Sequence, residues 1–276
     1  MSIFSNLAQK FKSGATLGKS VAESTSKVTT QIFAHRGSRC NRPENTLASF
    51  REAMALNVDG IELDVHLSVD HSLVVIHDET IDRTTNGRGF VRYYTTEELK
   101  TFDAGSWFSS DFLGERIPLL TDVLLELTES NFTGILNIEI KTNNYQYPNI
   151  EKILSDLMTS QNYPFSYLYS SFNLESLKII RAFEPNTELA LLTHNKSKEI
   201  MMGEEASFVN CLHPKKTFLF NHLAHTSTKT SKPLRIWTIN KDSDIRAAFR
   251  SNIKGIITDY PERALQLRNT IKRPSL

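Results

Sequence analysis

From Gln31 onward the sequence keeps one rhythm, in which short apolar, β-branched runs alternate with longer stretches of helical spacing. Nine runs read as strands, at 31–35, 60–65, 73–77, 135–141, 166–171, 188–193, 208–213, 235–240 and 255–259. Helical spacing fills 46–56, 121–129, 149–158, 174–183, 243–249 and 262–270. In the first helix Leu47, Phe50, Met54 and Val58 fall on the apolar side, Pro43 precedes it, and Asn45 offers an N-cap. Strands joined by helical crossovers run parallel. A chain of 276 residues that is 39% hydrophobic is long enough to close such a sheet into a barrel.

One connection breaks the rhythm. Between Val65 and Leu73 there is room only for a turn, with Asp70-His71-Ser72 at its tip, so these two strands must pair antiparallel. Folding the hairpin about that tip sets His77 opposite Glu62. Removing one hairpin arm from nine strands leaves eight for the barrel, the expected α/β fold. The segment 79–116, with Asn86-Gly87-Arg88-Gly89, Tyr93-Tyr94 and Asp103-Ala104-Gly105, reads as a small insertion bordering the strand ends. Residues 1–30 are rich in Ser, Thr, Lys and Ala and precede the barrel domain at 31–276. Phe4, Leu7 and Phe11 allow a short amphipathic helix there, a membrane-surface or partner-binding arm. A loosely ordered extension packed on the domain is the favoured reading.

The formal net charge of +1 gives no global field for nucleic acid. Cys40 and Cys211 form no metal or redox motif and read as separate thiols of a reducing compartment. No run approaches the ~20 apolar residues that cross a bilayer, and Ile3-Phe4 is followed at once by polar residues rather than a signal-peptide core. The expected location is the cytoplasm.

The chemistry-bearing residues gather at strand ends. Glu62 and Asp64, two apart on one strand, share a face. Two buried like charges repel, and a hard divalent cation such as Mg²⁺ or Ca²⁺ between them removes the conflict. Glu139, flanked by Ile138 and Ile140, points where its neighbours do not, toward the barrel lumen or its mouth. A lone glutamate there would be a carboxylate paired with a nearby Lys or Arg. Three carboxylates together with His35 and His77 favour a metal site with two proton-transfer groups. Arg36 and Lys141 add the charge that grips phosphate. Trp237 and Phe172 could face an apolar substrate edge or fill the core. His66 reads as support, while His71, His194, His213, His222 and His225 have no constellation around them.

In order and spacing, His35-Arg36-Gly37, Pro43-Glu44-Asn45-Thr46, Glu62-Leu63-Asp64-Val65, Val75-Ile76-His77-Asp78 and Arg83-Thr84-Thr85-Asn86-Gly87 resemble the glycerophosphodiester phosphodiesterase family. So do Asp103-Ala104-Gly105, Ile138-Glu139-Ile140-Lys141, Trp237-Thr238-Ile239-Asn240 and Thr258-Asp259-Tyr260-Pro261. The resemblance implies a TIM-type (β/α)8 barrel that hydrolyses glycerophosphodiesters to an alcohol and glycerol 3-phosphate. It implies one divalent cation on Glu62, Asp64 and Glu139, acid–base catalysis by His35 and His77, and substrate-site positions at Arg36, Glu44, Lys141 and Trp237. The family's hairpin tip usually reads Asp-Gly, and Asp70-His71-Ser72 departs from it. The N-terminal extension has no counterpart in compact members. A lysophospholipase D is the rival enzyme, with Tyr93, Tyr94, Trp107, Phe108 and the N-terminal arm offering peripheral membrane contact. A silent binding module would be expected to lack one of the five chemistry-bearing residues, and all five are present.

Overall fold

The computed structural model describes residues 30–194, 196–218, 230–251 and 253–271. The amphipathic reading of the N-terminal arm, and His222 and His225, lie outside the described residues. The strands are β1 (Gln31–His35), β2 (Gly60–Leu67), β3 (Leu73–Val75), β4 (Ile135–Ile140), β5 (Ser166–Ser171), β6 (Glu188–Thr193), β7 (Cys211–Pro214), β8 (Arg235–Ile236) and β9 (Gly255–Thr258). Between them run α1 (Leu47–Ala55), α2 (Thr96–Leu99), α3 (Leu120–Glu129), α4 (Ile150–Thr159), α5 (Leu174–Phe183), α6 (Ser197–Glu205) and α7 (Asp242–Arg250), and α8 (Pro261–Thr270) follows β9.

Hydrogen bonding links the strands in the order β7-β6-β5-β4-β2-β1-β9-β8. The two ends of that row meet: Leu212 N–H donates to the Pro233 carbonyl at 3.0 Å and Trp237 N–H to the Pro214 carbonyl at 3.2 Å. Eight parallel strands thus form a nearly closed barrel, with β3 outside the ring and antiparallel to β2. Among the described residues no helix is long and apolar enough to cross a membrane.

Strand alternation sorts the side chains. Ile32 and Ala34, Ile61 and Leu63, and Leu136 and Ile138 join the large cluster shared with the helices. Phe33, Leu168, Ala190, Cys211 and Ile257 form a separate small cluster in the lumen. The parallel register then stacks polar residues above it. His35, Glu62 and Asn137 lie at one level, and Asp64, Glu139 and Ser170 at the next. These are the C-terminal ends of the strands, where barrels carry their chemistry.

Several boundaries differ from the sequence reading. The hairpin pairs Val65 with Val75 and Leu67 with Leu73, so extending its register sets His77 level with Leu63, not Glu62. The β3 ladder ends at Val75, and His77 reaches the site by leaving the strand. Thr46, not Asn45, caps α1: its Oγ1 accepts from the Ser49 N–H while Ser49 Oγ accepts from the Thr46 N–H. Asn45 stands at φ 55° and turns its side chain elsewhere. At the hairpin tip His71 occupies the left-handed region, φ 61°, that a glycine takes without strain. Helix α6 was not anticipated because only Ile200 and Gly203 of its nine residues are buried. Residues 79–116 pack around a second small core of Ile81, Val91, Leu99 and Ala104 against Val74 and Ile76 of the hairpin. The Asp103 carboxylate organises this insertion by accepting N–H bonds from Gly105, Ser106 and Gly114 at 3.0, 2.7 and 2.6 Å.

Candidate active site

Of the nine expected catalytic, metal and substrate-site residues, His35, Arg36, Glu62, His77, Glu139, Lys141 and Trp237 line one cleft of about 390 Å³ over the strand ends, and Glu44 and Asp64 do not. Glu62, Asp64 and Glu139 are buried at its floor and each offers an oxygen within 4.8 Å of the others. Their environments differ. Burial, and then the Asp64 and Glu139 charges, push the Glu62 carboxyl well above its usual range. Burial would also raise Asp64, but His77, Lys141 and Arg36 together hold it below the usual range. Lys141 Nζ donates to Glu139 Oε1 at 2.8 Å and stands 3.5 Å from Asp64 Oδ1. Arg36 donates its backbone N–H to Glu62 Oε2 at 2.9 Å and sets its Nε 3.5 Å from Asp64 Oδ2.

Two cations therefore face three buried carboxylates. Asp64 Oδ1 is buried without a hydrogen-bond partner. Hard oxygen donors, three carboxylates against two cations and a carboxylate oxygen without a hydrogen bond fit a divalent cation. Asn45, freed from capping, donates its Nδ2 to Asp64 Oδ2 at 2.9 Å and orients that carboxylate.

Each histidine leans on a carboxylate. His35 Nδ1 meets Asp259 Oδ1 at 2.6 Å, across 224 residues of sequence, and Asn240 Nδ2 donates to the other Asp259 oxygen at 2.7 Å. Burial and the Arg36 charge lower the His35 imidazole to about 4, against the raising effect of Asp259. Burial works to raise Asp259, yet its bond to His35 helps hold it at about 2. His77 Nδ1 meets Asp78 Oδ1 at 2.6 Å. A proton on Nδ1 shared with a carboxylate leaves Nε2 of each ring free for proton transfer. His66 lies behind: its Nε2 contacts the His77 carbonyl at 3.1 Å and its Nδ1 the Tyr147 hydroxyl at 2.8 Å.

Three placements amend the sequence reading. The Glu44 side chain is buried outside the cleft lining, its oxygens taken up by Arg36, Arg39 and Arg83. Burial would raise its carboxyl, but these guanidinium groups, Arg83 first, lower it to about 2. His194, expected to stand apart, lines the cleft and stacks on Phe172 with centroids 4.5 Å apart and planes at 21°. Trp237 meets Phe172 edge-on at 5.7 Å and donates its Nε1–H to the His213 carbonyl at 2.7 Å, so it both lines the cleft and braces β7. The sequence reading leaves Arg39, Asp78, Asp259 and Arg83 without a role and gives Asn45 only that of a helix cap. Adjacency of Asp78 to His77 was the one local signal. The others act across the fold.

Residues 35–263 match the glycerophosphoryl diester phosphodiesterase family. A glycerophosphodiester phosphodiesterase of Caldanaerobacter subterraneus subsp. tengcongensis is 41% identical over 86% of this chain and 97% of its own. One from Bacillus altitudinis is 37% identical over 88% of this chain and 100% of its own. Among solved structures, an Oleispira antarctica phosphodiesterase in complex with the product sn-glycerol-3-phosphate superposes with TM-score 0.76. It is 27% identical, over 88% of this chain and 98% of that one. The chain with these two histidine–carboxylate pairs over a buried acidic triad belongs to the glycerophosphoryl diester phosphodiesterase family and is an enzyme of that activity.

Proposed function

We propose that the chain hydrolyses glycerophosphodiesters to an alcohol and glycerol 3-phosphate, with metal dependence and acid–base catalysis by His35 and His77. The observation that carries this reading is the pairing of each histidine with a carboxylate, at 2.6 Å in both cases, beside three carboxylates that share one small volume. A divalent cation, Mg²⁺ or Ca²⁺, held by Glu62, Asp64 and Glu139 supplies Lewis-acid polarisation of a phosphoryl oxygen when bound. Arg36 and Lys141 place two positive charges at the same floor, where they offset charge that develops on the phosphate. One imidazole Nε2 takes the proton of the attacking hydroxyl, which is water or the glycerol hydroxyl next to the phosphate. The other gives a proton to the leaving alcohol oxygen as the P–O bond breaks. In the second case a cyclic phosphate forms and is opened by water.

Phe172, His194 and Trp237 form an aromatic wall at the cleft and Glu79, Asn143 and Asn144 a polar one, and the group beyond the phosphate lies between them. The insertion aromatics favour a soluble substrate over a lysophospholipid, because several serve the fold. Trp107 Nε1 donates to the Ala104 carbonyl at 2.8 Å, and Tyr94 packs edge-on to Phe102 at 5.3 Å. Separate cysteines, Cys40 and Cys211, suit work in the cytoplasm.

The test is a metal-titrated assay with glycerophosphocholine and lysophosphatidylcholine. Turnover of the first should vanish with chelator and return with Mg²⁺ or Ca²⁺. His35→Ala and His77→Ala should each cost ~10²–10⁴ in rate. Near-wild-type turnover in both variants would end the histidine assignment, and faster lysophosphatidylcholine cleavage would reverse the substrate assignment.

A further inference from the structure

Glu44 is an odd substrate ligand. Its side chain is nearly sealed from solvent, at 2% exposure, and a carboxylate repels the phosphodiester that the cleft would bind. What it does touch is specific. Arg83 spans from Glu44 to Asp78, donating Nη1 and Nη2 to Glu44 at 3.0 and 2.8 Å and Nε and Nη2 to Asp78 at 2.7 and 3.1 Å. Arg39 spans the other way, with Nη2 at 3.0 Å from Glu44 and Nη1 at 3.7 Å from Asp259. Asp78 and Asp259 are the carboxylates on which His77 and His35 rest.

We propose that Glu44 is a positioning residue for both histidines, acting through Arg83 on the Asp78–His77 pair and through Arg39 on the Asp259–His35 pair. The proposal rests on the hydrolysis reading above for its catalytic consequence, but the hydrogen-bond network can be read without turnover. Without the buried anion, Arg36, Arg39 and Arg83 would crowd three like charges around one point, and bidentate guanidinium geometry would be lost. The two arms are unequal. Asp259 has Asn240 as a second anchor and a long contact to Arg39, whereas Asp78 is gripped by Arg83 through two nitrogens. The His77 arm therefore depends on Glu44 more strongly. Misplacing a catalytic group by about 1 Å costs on the order of 10²-fold, which sets the scale of the effect.

The experiment compares wild-type, Glu44→Gln, Glu44→Asp and Arg83→Gln holoenzymes. Turnover is measured on glycerophosphocholine, and ring-nitrogen NMR follows the Nδ1–H signals of His35 and His77. Glu44→Gln should lower kcat about 10²-fold with KM changed less than about 3-fold, and Glu44→Asp should recover part of the loss. Both Nδ1–H signals should shift in Glu44→Gln, and that of His77 alone in Arg83→Gln, whose exposed side chain makes misfolding no concern. In a His77→Ala background, Arg83→Gln should cost nothing further. Wild-type kcat in Glu44→Gln, a loss expressed only in KM, unmoved Nδ1–H signals, or a full additional loss in the His77→Ala background would each overturn the proposal. If the wild-type protein failed to hydrolyse the diester, the hydrolysis reading would fall, while the NMR signals would still decide the positioning role.

Discussion

Both ends of the barrel bury charge, and they treat it in opposite ways. At the N-terminal end Arg235 is fully buried. It donates Nη1 to Glu188 at 2.6 Å and Nε to Gln31 at 3.1 Å, and lies 5.2 Å from the Phe33 ring centroid. Lys254 adds a second cation on Glu188 at 2.8 Å. Burial works to raise the Glu188 carboxyl, but Arg235 and Lys254 overcome it and lower it. At the C-terminal end burial, and then the Asp64 and Glu139 charges, push Glu62 up against the Arg36 charge. One carboxylate is answered from within the protein. The other is met by the Arg36 N–H and charge, which do not offset its burial and its like-charged neighbours. Even with Arg36 and Lys141 beside it, the upper cluster sets three carboxylates in one buried volume, an arrangement in which like charges repel.

The largest effect that sharpens this contrast comes from Glu62→Gln. Activity should fall more than the ~10–100-fold typical of losing an outer partner of a metal site, while the metal-free protein becomes more stable by about 1–2 kcal/mol as carboxylate repulsion is removed. Denaturant melts with and without divalent cation, beside turnover, measure both. A metal-free protein destabilised by this change would break the contrast. Arg235→Met tests the other end. Removing one partner leaves Glu188 part-exposed and still paired with Lys254, so a loss of about 1–3 kcal/mol is expected, with kcat unchanged below the melting range. A folded Arg235→Met protein with low kcat would mean that the two ends are not independent.

The upper cluster was legible in the sequence for a local reason: parity. Glu62 and Asp64 are two apart on a strand, Glu139 sits between isoleucines, and His35 ends β1, so each side chain's face follows from its own segment. The parallel rhythm was legible for the same reason. What escaped was set by tertiary contact. Asp259 reaches His35 from 224 residues away, and no local pattern joins them. Asn45 looked like a cap, yet its positive φ hands that task to Thr46 and sends the amide to Asp64. Strands β7 and β8 came out shorter than their apolar runs. Trp237 bonds across to Pro214 and Lys216 instead of extending the ladder with β9, which is barrel closure and not propensity. His194 earned its place only when β6 brought it beside Phe172.

The smallest expected effect is in the pH dependence of stability, and there the two ends should carry opposite signs. Glu188 has a folded-state pKa below its unfolded value, so its contribution is present above the ordinary glutamate pKa of roughly 4.3 and is lost as pH falls through the lowered folded value. Glu62 has a raised folded pKa, so its favourable contribution is present below the unfolded value and is lost as pH rises through the folded one. Glu62 should therefore contribute a loss of stability to the metal-free protein from mildly acidic to neutral pH, against the gain from the lowered imidazoles of His35, His66 and His213. Glu62→Gln should remove that loss component. Saturating divalent cation should reverse it, because binding requires the ionised carboxylates and strengthens as they deprotonate. Arg235→Met should leave the neutral-pH slope alone and change only the acid limb. Denaturant midpoints for the three proteins across this range, with and without cation, separate the two carboxylates. A metal-free loss of stability toward neutral pH that survives Glu62→Gln would place its origin elsewhere, and not at His35, whose lowered imidazole makes stability rise with pH.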